Sequence, residues 1–366
     1  RYTMNILILT GHFGMGHICA SNAIAQEILA DVPDADIHIV DMIEYMFPHF
    51  KDLIYNQFNF MVKSCSHLYN FCNKLAGRYN DVPLKHELVR KVERMLREYR
   101  PDIVISTLPA CSQYISAYKE ITGMAIPLYT YITDISAHGE WISKGTDMYF
   151  VGAQSTKNTL IANGIPERCI TVSGIPVAPN FKPGRCSLPH GKKTEILIMG
   201  GGLGLIPYVD RMVDGLYKDD KLHITMICGK NLKLSLKMKK RYPKIEVLGY
   251  TDRVSEYMKR ADLLITKAGG ITTFEAINCH TPLYIFTPFL VQEIGNAEFI
   301  EQNNIGKVVW SKDTNAVSDI LALTQNTSLL NLMKRNMCAL QSQLCPKPVV
   351  SQILRDSVGR TAALAI

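Results

Sequence analysis

The sequence predicts an α/β protein with parallel sheets, and three observations support this. Short apolar segments alternate with helical patterns along both halves of the chain, as is typical of parallel strands joined by crossover helices. Glycine-rich turns follow several of these segments. The 366 residues exceed one typical hydrophobic core. We therefore predict two Rossmann-like domains that face a cleft.

Six strands are predicted in each half. Those of the first half are 6–9, 37–40, 103–107, 128–132, 148–151 and 170–172. Those of the second half are 195–199, 223–227, 245–248, 263–266, 283–286 and 307–309. Between the halves, residues 178–193 are rich in proline and polar residues, which is typical of a linker. The predicted domains are therefore 1–177 and 194–345, and a helix is predicted over 346–366.

The turn after strand 263–266 has the pattern of a phosphate site. Gly269 and Gly270 end the strand, and a helix begins near Thr272. A helix N-terminus offers free N–H groups and a positive dipole to an anion, and glycines allow close approach and positive φ. Glu275, predicted on the first turn, is placed to accept hydrogen bonds from ribose hydroxyls. The alternative is an ordinary βα turn, because glycines alone are weak evidence.

Two other turns are candidates for the same crevice. Gln292, Glu293 and Asn296 open a helix after strand 283–286, and neighbouring βα loops of a parallel sheet face one crevice. The glycine run at 200–202 follows strand 195–199 and offers a second set of N–H donors. A tight βα turn without a ligand is an equally open interpretation of that run.

These segments resemble the donor-sugar region of one glycosyltransferase group. It includes plant monogalactosyldiacylglycerol synthase, bacterial processive diacylglycerol glucosyltransferases and the N-acetylglucosaminyltransferase that makes lipid II. The group's pattern is Lys-(Ala/Pro)-Gly-(Gly/Pro), then Thr, Glu-Ala, Gly-Gln-Glu and Asn. The matching residues here are Lys267, Gly269, Gly270, Thr272, Glu275, Ala276, Gln292, Glu293 and Asn296. The group's Pro-Gly before the glutamine is replaced by Leu290-Val291, so this loop is expected to differ in shape.

The resemblance extends to the first half of the chain. The segment 14–17, Gly-Met-Gly-His, is similar to the group's Gly-Gly-Gly-His and departs from it at Met15. The segment 133–141 resembles its Thr-Asp…His-x-x-Trp element, and 174–177 its interdomain Gly-(Ile/Leu)-Pro-Val. The match is weakest over about 42–100. The resemblance implies the GT-B architecture, in which the C-terminal helix returns to the first domain.

The resemblance also implies a reaction, the inverting transfer of a hexose from UDP-glucose or UDP-galactose to a lipid, with diacylglycerol as the expected acceptor. The site residues it implies, together with those that the turns suggest, form a donor set: Gly16, Gly202, Lys230, Tyr250, Lys267, Gly269, Gly270, Thr272, Glu275, Gln292, Glu293 and Asn296. For Gly202 an ordinary turn is the alternative, and for Lys230 a solvated surface lysine.

His17 is the predicted general base. A histidine at a βα loop has a pKa near working pH and can take a proton from a hydroxyl. The chain contains ten histidines, and a lone histidine is more often structural. His17 is selected by its glycine-rich loop and by its match to the group's proposed base. Asp134 is predicted to orient the base or contact the acceptor, and His138 and Trp141 to shape the acceptor side.

A membrane surface is the second expected partner. Residues 42–79 are rich in aromatic residues with interspersed lysines. Core helix is one interpretation, and the resemblance favours an interfacial segment that presents Phe58 and Phe60 to lipid. The basic run 230–244 is predicted as a solvated helix face or as a surface for anionic headgroups. Nucleic acid is excluded as a partner because no aromatic array or binding module accompanies the charge.

Composition and residue spacing bear on the cellular location of the protein and on metal binding. No apolar run reaches the roughly eighteen residues of a membrane span, and no signal-peptide pattern opens the chain. Ten scattered cysteines predict a reduced, cytosolic protein, here peripheral to the cytoplasmic face of a membrane. No metal-ligand spacing is present, and the one Asp-x-Asp, at 34–36, precedes a strand. We therefore expect no metal and no cofactor, with the UDP-sugar as co-substrate.

Other functions fit the same predicted fold. The acceptor could be an undecaprenyl-linked sugar or a soluble small molecule. A hydrolysing sugar-nucleotide epimerase shares the two-domain architecture but fits the motifs less well. A nucleotide-sugar-binding protein without turnover is the alternative outside enzymes. Fold alone does not separate these functions.

Overall fold

The computed structural model describes residues 3–13, 15–56, 85–136, 139–184, 186–202, 204, 206, 209–288, 290–311 and 314–363. Two compact units divide the chain. The first comprises Arg1–Pro179 with Leu344–Ile366, and the second Asn180–Gln343. The residues predicted as linker, 178–193, therefore fall at the junction and the start of the second unit.

The first unit contains a six-stranded parallel sheet in the order β2-β1-β3-β4-β5-β6. Its strands are β1 (Asn5–Thr10), β2 (Asp36–Asp41), β3 (Ile103–Ser106), β4 (Leu128–Tyr131), β5 (Met148–Val151) and β6 (Ile170–Val172). Its helices are α1 (Gly16–Asp31), α2 (Met42–Met46), α3 (Lys85–Tyr99), α4 (Pro109–Thr122), α5 (Gln154–Ala162) and, from the chain's end, α13 (Pro348–Ala363).

Helices cover both faces of this sheet, which explains the continuous apolar runs of its central strands β1 and β3. Along β1, Leu7 and Leu9 enter one core with α2, α3 and α4. Ile6 and Ile8 enter the other core with α1 and α13. Val349, Val350 and Ile353 are buried there, so α13 is part of the first unit's core.

The second unit has its own six-stranded parallel sheet, in the order β12-β11-β10-β7-β8-β9. Its strands are β7 (Thr194–Met199), β8 (Leu222–Ile227), β9 (Glu246–Leu248), β10 (Leu263–Thr266), β11 (Leu283–Ile285) and β12 (Gly306–Val308). Its helices are α6 (Val209–Leu216), α7 (Leu232–Arg241), α8 (Val254–Arg260), α9 (Gly270–Cys279), α10 (Val291–Gln302), α11 (Ala316–Gln325) and α12 (Thr327–Ser342). One large core packs β7, β8 and β10 against α6, α11 and α12.

The predicted fold class is confirmed, and all twelve predicted strands are present with ends that differ by at most one residue. Within the aromatic segment 42–79, Met42 and Met46 are buried core residues, whereas Phe50 and Leu53 are exposed. Phe58 and Phe60 lie outside the described residues. Among the helices that are described, none is both long and apolar enough to cross a bilayer.

Candidate active site

The strand order of the first unit reverses between β1 and β3, which lie next to each other. Open α/β sheets bind ligands at the carboxyl ends of the strands beside such a switch point. The β1–α1 loop and the residues after β3 meet there. His17, the second residue of α1, lies with Nδ1 2.8 Å from the Thr107 carbonyl oxygen and 3.0 Å from Thr133 Oγ1.

The contact with the Thr107 carbonyl fixes which nitrogen of the His17 ring carries the proton. A carbonyl oxygen can only accept, so Nδ1 carries the proton and Nε2 keeps its lone pair. Burial lowers the pKa of His17, and the nearby Asp134 carboxylate opposes that effect. The neutral ring is therefore the stable form near neutral pH, as a general base requires.

A network of buried hydroxyl groups packs against the backbone of His17. Ser21 Oγ donates to the His17 carbonyl oxygen at 2.9 Å and lies 3.0 Å from Thr107 Oγ1. Thr107 Oγ1 in turn donates to Thr10 Oγ1 at 3.0 Å. Ser21, Thr107 and Thr10 are all buried, so the network joins β1, α1 and the end of β3 beneath the imidazole.

Asp134 and Trp141 form a second pair near His17. The indole Nε1 donates to Asp134 Oδ2 at 3.4 Å. Trp141 is fully buried, so it supports Asp134 rather than presenting a surface to an acceptor. Burial, with the Asp134 charge, raises the pKa of the neighbouring Glu140 to about 7, a group that the sequence analysis missed. His138 lies outside the described residues.

His12 and Asp41 form a pair that the sequence analysis also missed. His12 Nδ1 contacts Asp41 Oδ2, and Tyr55 donates its hydroxyl to the same carboxylate at 2.7 Å. The Asp41 side chain is 8% exposed and that of His12 is 53% exposed. Burial raises the pKa of Asp41, but the hydrogen bonds from His12 and Tyr55 outweigh it and lower that pKa. The pairing of β1 with β2 brings His12 and Asp41 to one edge of the sheet, and no local pattern in the sequence indicates that pairing.

The second unit reverses its strand order between β7 and β10, and the glycine-rich loops after β7 and β8 meet beside that point. Gly201, Gly204 and Gly229 have φ of +72°, +62° and +53°. A Cβ on Gly204 would lie 2.0 Å from the Cys228 carbonyl oxygen, and one on Gly229 would lie 2.4 Å from that of Gly202. Lys230 N donates to the Gly202 carbonyl at 3.0 Å. The loops after β7 and β8 therefore pack backbone against backbone.

The loop after β10 completes this edge. A Cβ on Gly201 would lie 3.8 Å from Lys267 Cε, so Lys267 borders the first glycine turn. Gly269 is the N-cap of α9 and provides no side-chain cap, which leaves the first-turn N–H groups for a ligand. Gly269 does not use the positive φ that a glycine permits, because its φ is −86°. The helix begins directly at Gly270, which requires an extended N-cap.

Glu275 lies on the second turn of α9, one turn later than predicted, because the helix begins at Gly270. Burial raises the pKa of Glu275 to about 7. Within the described chain its carboxyl group has no hydrogen-bond partner. It is therefore suited to accept hydrogen bonds from ligand hydroxyls, as the ribose prediction requires, and that role stays a prediction.

Glu293 and Asn296 secure the β10 loop. Lys267 Nζ lies 3.3 Å from Oε1 of the buried Glu293, and the buried Asn296 donates through Nδ2 to the Ala268 carbonyl at 2.9 Å. Gln292, on the same turn of α10, is half-buried. This arrangement orients Lys267 and the entrance to α9, so the two segments matched by sequence form one structural unit.

Three other predicted donor residues lie on different elements. Tyr250 follows the edge strand β9 and is exposed. Thr272 lies on the first turn of α9, where its Oγ1 would be 3.7 Å from a Cβ on Gly269. Gly16 begins α1 in the first unit, beside His17 rather than among the second unit's loops. Across the part of the chain that is described, no three His, Cys, Asp or Glu side chains are grouped to hold a metal.

Two family models match consecutive parts of the chain. The model for monogalactosyldiacylglycerol (MGDG) synthase matches residues 17–177. The model for the glycosyltransferase family 28 C-terminal domain matches residues 195–345. The first contains His17 and Asp134, and the second contains the glycine turns, Lys267 and Glu275.

Full-length relatives are similar over nearly the whole chain. A processive diacylglycerol beta-glucosyltransferase of Bacillus subtilis is 27% identical, over 98% of this chain and 96% of its own. One of Staphylococcus epidermidis is 29% identical, over 98% and 94%. Among solved structures, Acinetobacter baumannii MurG aligns with a TM-score of 0.62 at 15% identity, covering 97% of this chain and 100% of its own. Anabaena Alr3699/HepE in complex with UDP aligns at 0.55 and 14%, covering 98% and 100%.

Proposed function

We propose that this chain transfers a hexose from a UDP-sugar to diacylglycerol. It is a GT-B glycosyltransferase in which a monogalactosyldiacylglycerol synthase domain precedes a family 28 C-terminal domain. UDP-glucose is the first donor to test, because the relatives named above are glucosyltransferases. The observation that carries the proposal is the convergence of two glycine-rich loops, Lys267 and the uncapped start of α9 at one switch point.

The donor half of the reaction follows from that convergence. A nucleoside diphosphate placed at the switch point receives N–H donors from α9 and from the glycine turns. These donors stabilise the charge that develops as the bond between sugar C1 and the diphosphate oxygen breaks and UDP leaves. Glu275 accepts hydrogen bonds from the ribose hydroxyls.

The acceptor half uses His17. Its Nε2 accepts the proton of the acceptor hydroxyl while that oxygen bonds to C1 of the hexose. Direct displacement inverts the anomeric centre, so an α-linked UDP-hexose yields a β-glycoside. Thr107 fixes the tautomer, and Asp134 stabilises the imidazolium that forms.

UDP release from UDP-glucose and UDP-galactose, with and without diacylglycerol in vesicles, tests this function. We expect lipid-dependent turnover of one donor and a β-linked product by NMR. His17→Ala should reduce turnover by about 10²- to 10⁴-fold while UDP-glucose binding stays within a factor of about two. His38→Ala, a histidine on β2 of the same unit, is the matched control and should retain turnover.

Each contrary result removes a different part of the proposal. Binding of a UDP-sugar without lipid-dependent turnover contradicts the acceptor and leaves polyprenyl or soluble acceptors or a binding protein. No binding of either UDP-sugar contradicts the donor site. Full activity in His17→Ala contradicts the base.

A further inference from the structure

Helix α7 carries an apolar row that the core of the second unit does not use. Leu232 and Leu236 are 71% and 70% exposed, the highest values among the large apolar side chains described. They lie four residues apart, so they are neighbours on one face of the helix. On the opposite side Met238 is buried and Leu234 packs against the core, and Ser235 is buried between the two faces. The helix is therefore packed through one face and presents two leucines to solvent through the other.

Lysines surround these leucines. Residues 230–245 contain seven Lys and Arg and no Asp or Glu. Lys237, Arg241 and Lys244 pair with aspartates of the α6 side at Asp210, Asp214 and Asp220. Within the described chain, Lys233, Lys239 and Lys240 have no acidic partner. At helical spacing Lys240 continues the leucine row, while Lys233 and Lys239 lie on its two sides.

This combination of exposed leucines and uncompensated lysines fits one class of surface. Leucines bordered by lysines on one helix face are typical of segments that lie in the interface of an anionic bilayer. A purely solvated basic helix has no need of two neighbouring exposed leucines. A protein partner would require acidic groups placed against each lysine, whereas a lipid surface supplies diffuse negative charge.

The helix is also placed beside the donor site. α7 begins directly after Gly229 and Lys230, at the carboxyl edge of the sheet where the glycine turns meet. Both leucines lie in its first half, near that edge. The lysine and arginine that pair with α6 lie in its second half. The apolar part of the helix is therefore the part next to the proposed nucleotide site.

We propose that the Leu232–Leu236 face of α7 docks on an anionic lipid bilayer, with the leucines among the acyl chains and the three lysines at the headgroups. This surface is additional to the segment 42–79 that the family resemblance suggests. The inference rests on the proposed function for its reason, since a diacylglycerol acceptor lies in a bilayer. Its test requires no sugar transfer.

Vesicle sedimentation of the full chain tests the proposal without any donor present. Vesicles of phosphatidylcholine alone are compared with vesicles that contain about one-third phosphatidylglycerol. We expect the chain to bind the anionic vesicles, and Leu232→Ser/Leu236→Ser to lose at least about tenfold in partitioning. Lys233→Ala/Lys239→Ala/Lys240→Ala should lose a similar factor and become less sensitive to salt.

Matched controls use residues of the same types elsewhere on the second unit. Leu332→Ser on α12, also exposed, and Lys192→Ala/Lys193→Ala, both exposed, should bind as the unaltered chain does. Thermal unfolding and UDP-glucose binding should be unchanged in all variants, because none of these residues supports the core or the donor site.

Three outcomes would overturn the proposal: vesicle binding unchanged in both α7 variants, equal binding to neutral vesicles, or no binding at all. A change in oligomeric state by sedimentation velocity without a change in vesicle binding would also overturn it, since the face would then be an interface between copies. Failure of the proposed function is measured by a different assay, sugar transfer to diacylglycerol dispersed in detergent. A chain that binds vesicles but shows no transfer there would contradict the proposed function and leave the docking surface intact.

Discussion

At the scale of single residues, the position of one proton decides what His17 can do. The Thr107 carbonyl accepts from Nδ1, which leaves Nε2 as the basic nitrogen. Burial lowers the His17 pKa and Asp134 raises it, so the balance between them sets the pH at which the base becomes active. The two effects can be separated by substitution.

Asp134→Asn should move the acidic limb of kcat/KM to lower pH by about one unit. Removing the carboxylate leaves burial unopposed, so the His17 pKa falls and the neutral ring persists into more acidic solution. The amide still accepts from the Trp141 indole. Asp36→Asn, on the exposed side of β2, should leave the limb in place. An unchanged or upward-moving limb in Asp134→Asn would contradict the assigned coupling.

Glu275 should make donor binding depend on pH. Its pKa is raised to about 7, and ligand hydroxyls favour the ionised form. UDP-glucose affinity should therefore rise with pH, by up to about tenfold between about pH 6 and about pH 8. Glu275→Gln should bind with little pH dependence in calorimetry. Glu140→Gln removes the other glutamate with a pKa of about 7, lies in the first unit, and should keep the dependence.

The same shift affects stability with a defined sign. The folded pKa of Glu275 lies above its usual 4.5, so its favourable contribution is present below about pH 4.5 and is lost as pH rises through about 7. Glu275→Gln should therefore gain stability relative to the unaltered chain above about pH 7. No gain in thermal unfolding at alkaline pH would indicate that the carboxyl is already solvated.

At the scale of elements, the turns show what the sequence predicts well and what it does not. The apolar runs predicted all the strands that the structure describes, most clearly the central ones, because a strand buried on both faces is continuously apolar. Which glycines use positive φ was left open: Gly201, Gly204 and Gly229 do, whereas Gly269 does not. Backbone conformation at a turn depends on where the next helix begins and on which loop packs against it. The presence of a glycine in the sequence indicates neither where the next helix begins nor which loop packs against the turn.

Substitutions at two of these glycines should separate folding from binding. Gly204→Ala combines positive φ with a clash against the Cys228 carbonyl, so it should destabilise the second unit by at least about 2 kcal/mol. Gly269→Ala meets only the Thr272 side chain, at 3.7 Å or more, and should leave the Tm unchanged. Its methyl group stands at the start of α9, so UDP-glucose binding should weaken by about tenfold or more. Equal Tm values for the two variants, or unimpaired binding by Gly269→Ala, would contradict this account.

The site itself was only partly predictable from the sequence. Motif residues located Lys267, Glu293, Asn296 and His17. The groups that orient them were less visible: the carbonyl of Thr107 carries no side-chain signal, and the His12–Asp41 pair joins loops that are far apart in the chain. Long-range pairing of this kind follows from strand order, which local patterns leave open.

At the scale of the whole molecule, the two units have separate sheets and separate cores. The end of the chain nevertheless belongs to the first of them. α13 contributes Val349, Val350 and Ile353 to the core that contains Ile24 and Ile28 of α1. A change in α13 should therefore be measured as a change in the first unit.

Ile353→Ala should destabilise the first unit by about 2–4 kcal/mol, because Ile353 is 2% exposed and its truncation leaves a cavity. Leu354→Ala, next to it on the same helix but 57% exposed, should change stability by less than about 0.5 kcal/mol. Thermal unfolding measures both. UDP-glucose binding at the second unit should be unaffected, and a loss of binding in Ile353→Ala would contradict the division into units.

The return of α13 also has a consequence during synthesis. A ribosome releases the N-terminal residues first, yet the core that contains Ile24 and Ile28 of α1 lacks the part supplied by α13 until residues near 353 have emerged. All of Asn180–Gln343 is translated in that interval, and it contains the complete sheet and core of the second unit. The second unit of the nascent chain can therefore finish folding before the first unit does. The apolar residues of α1 that pack with α13 are where a chaperone would be needed longest.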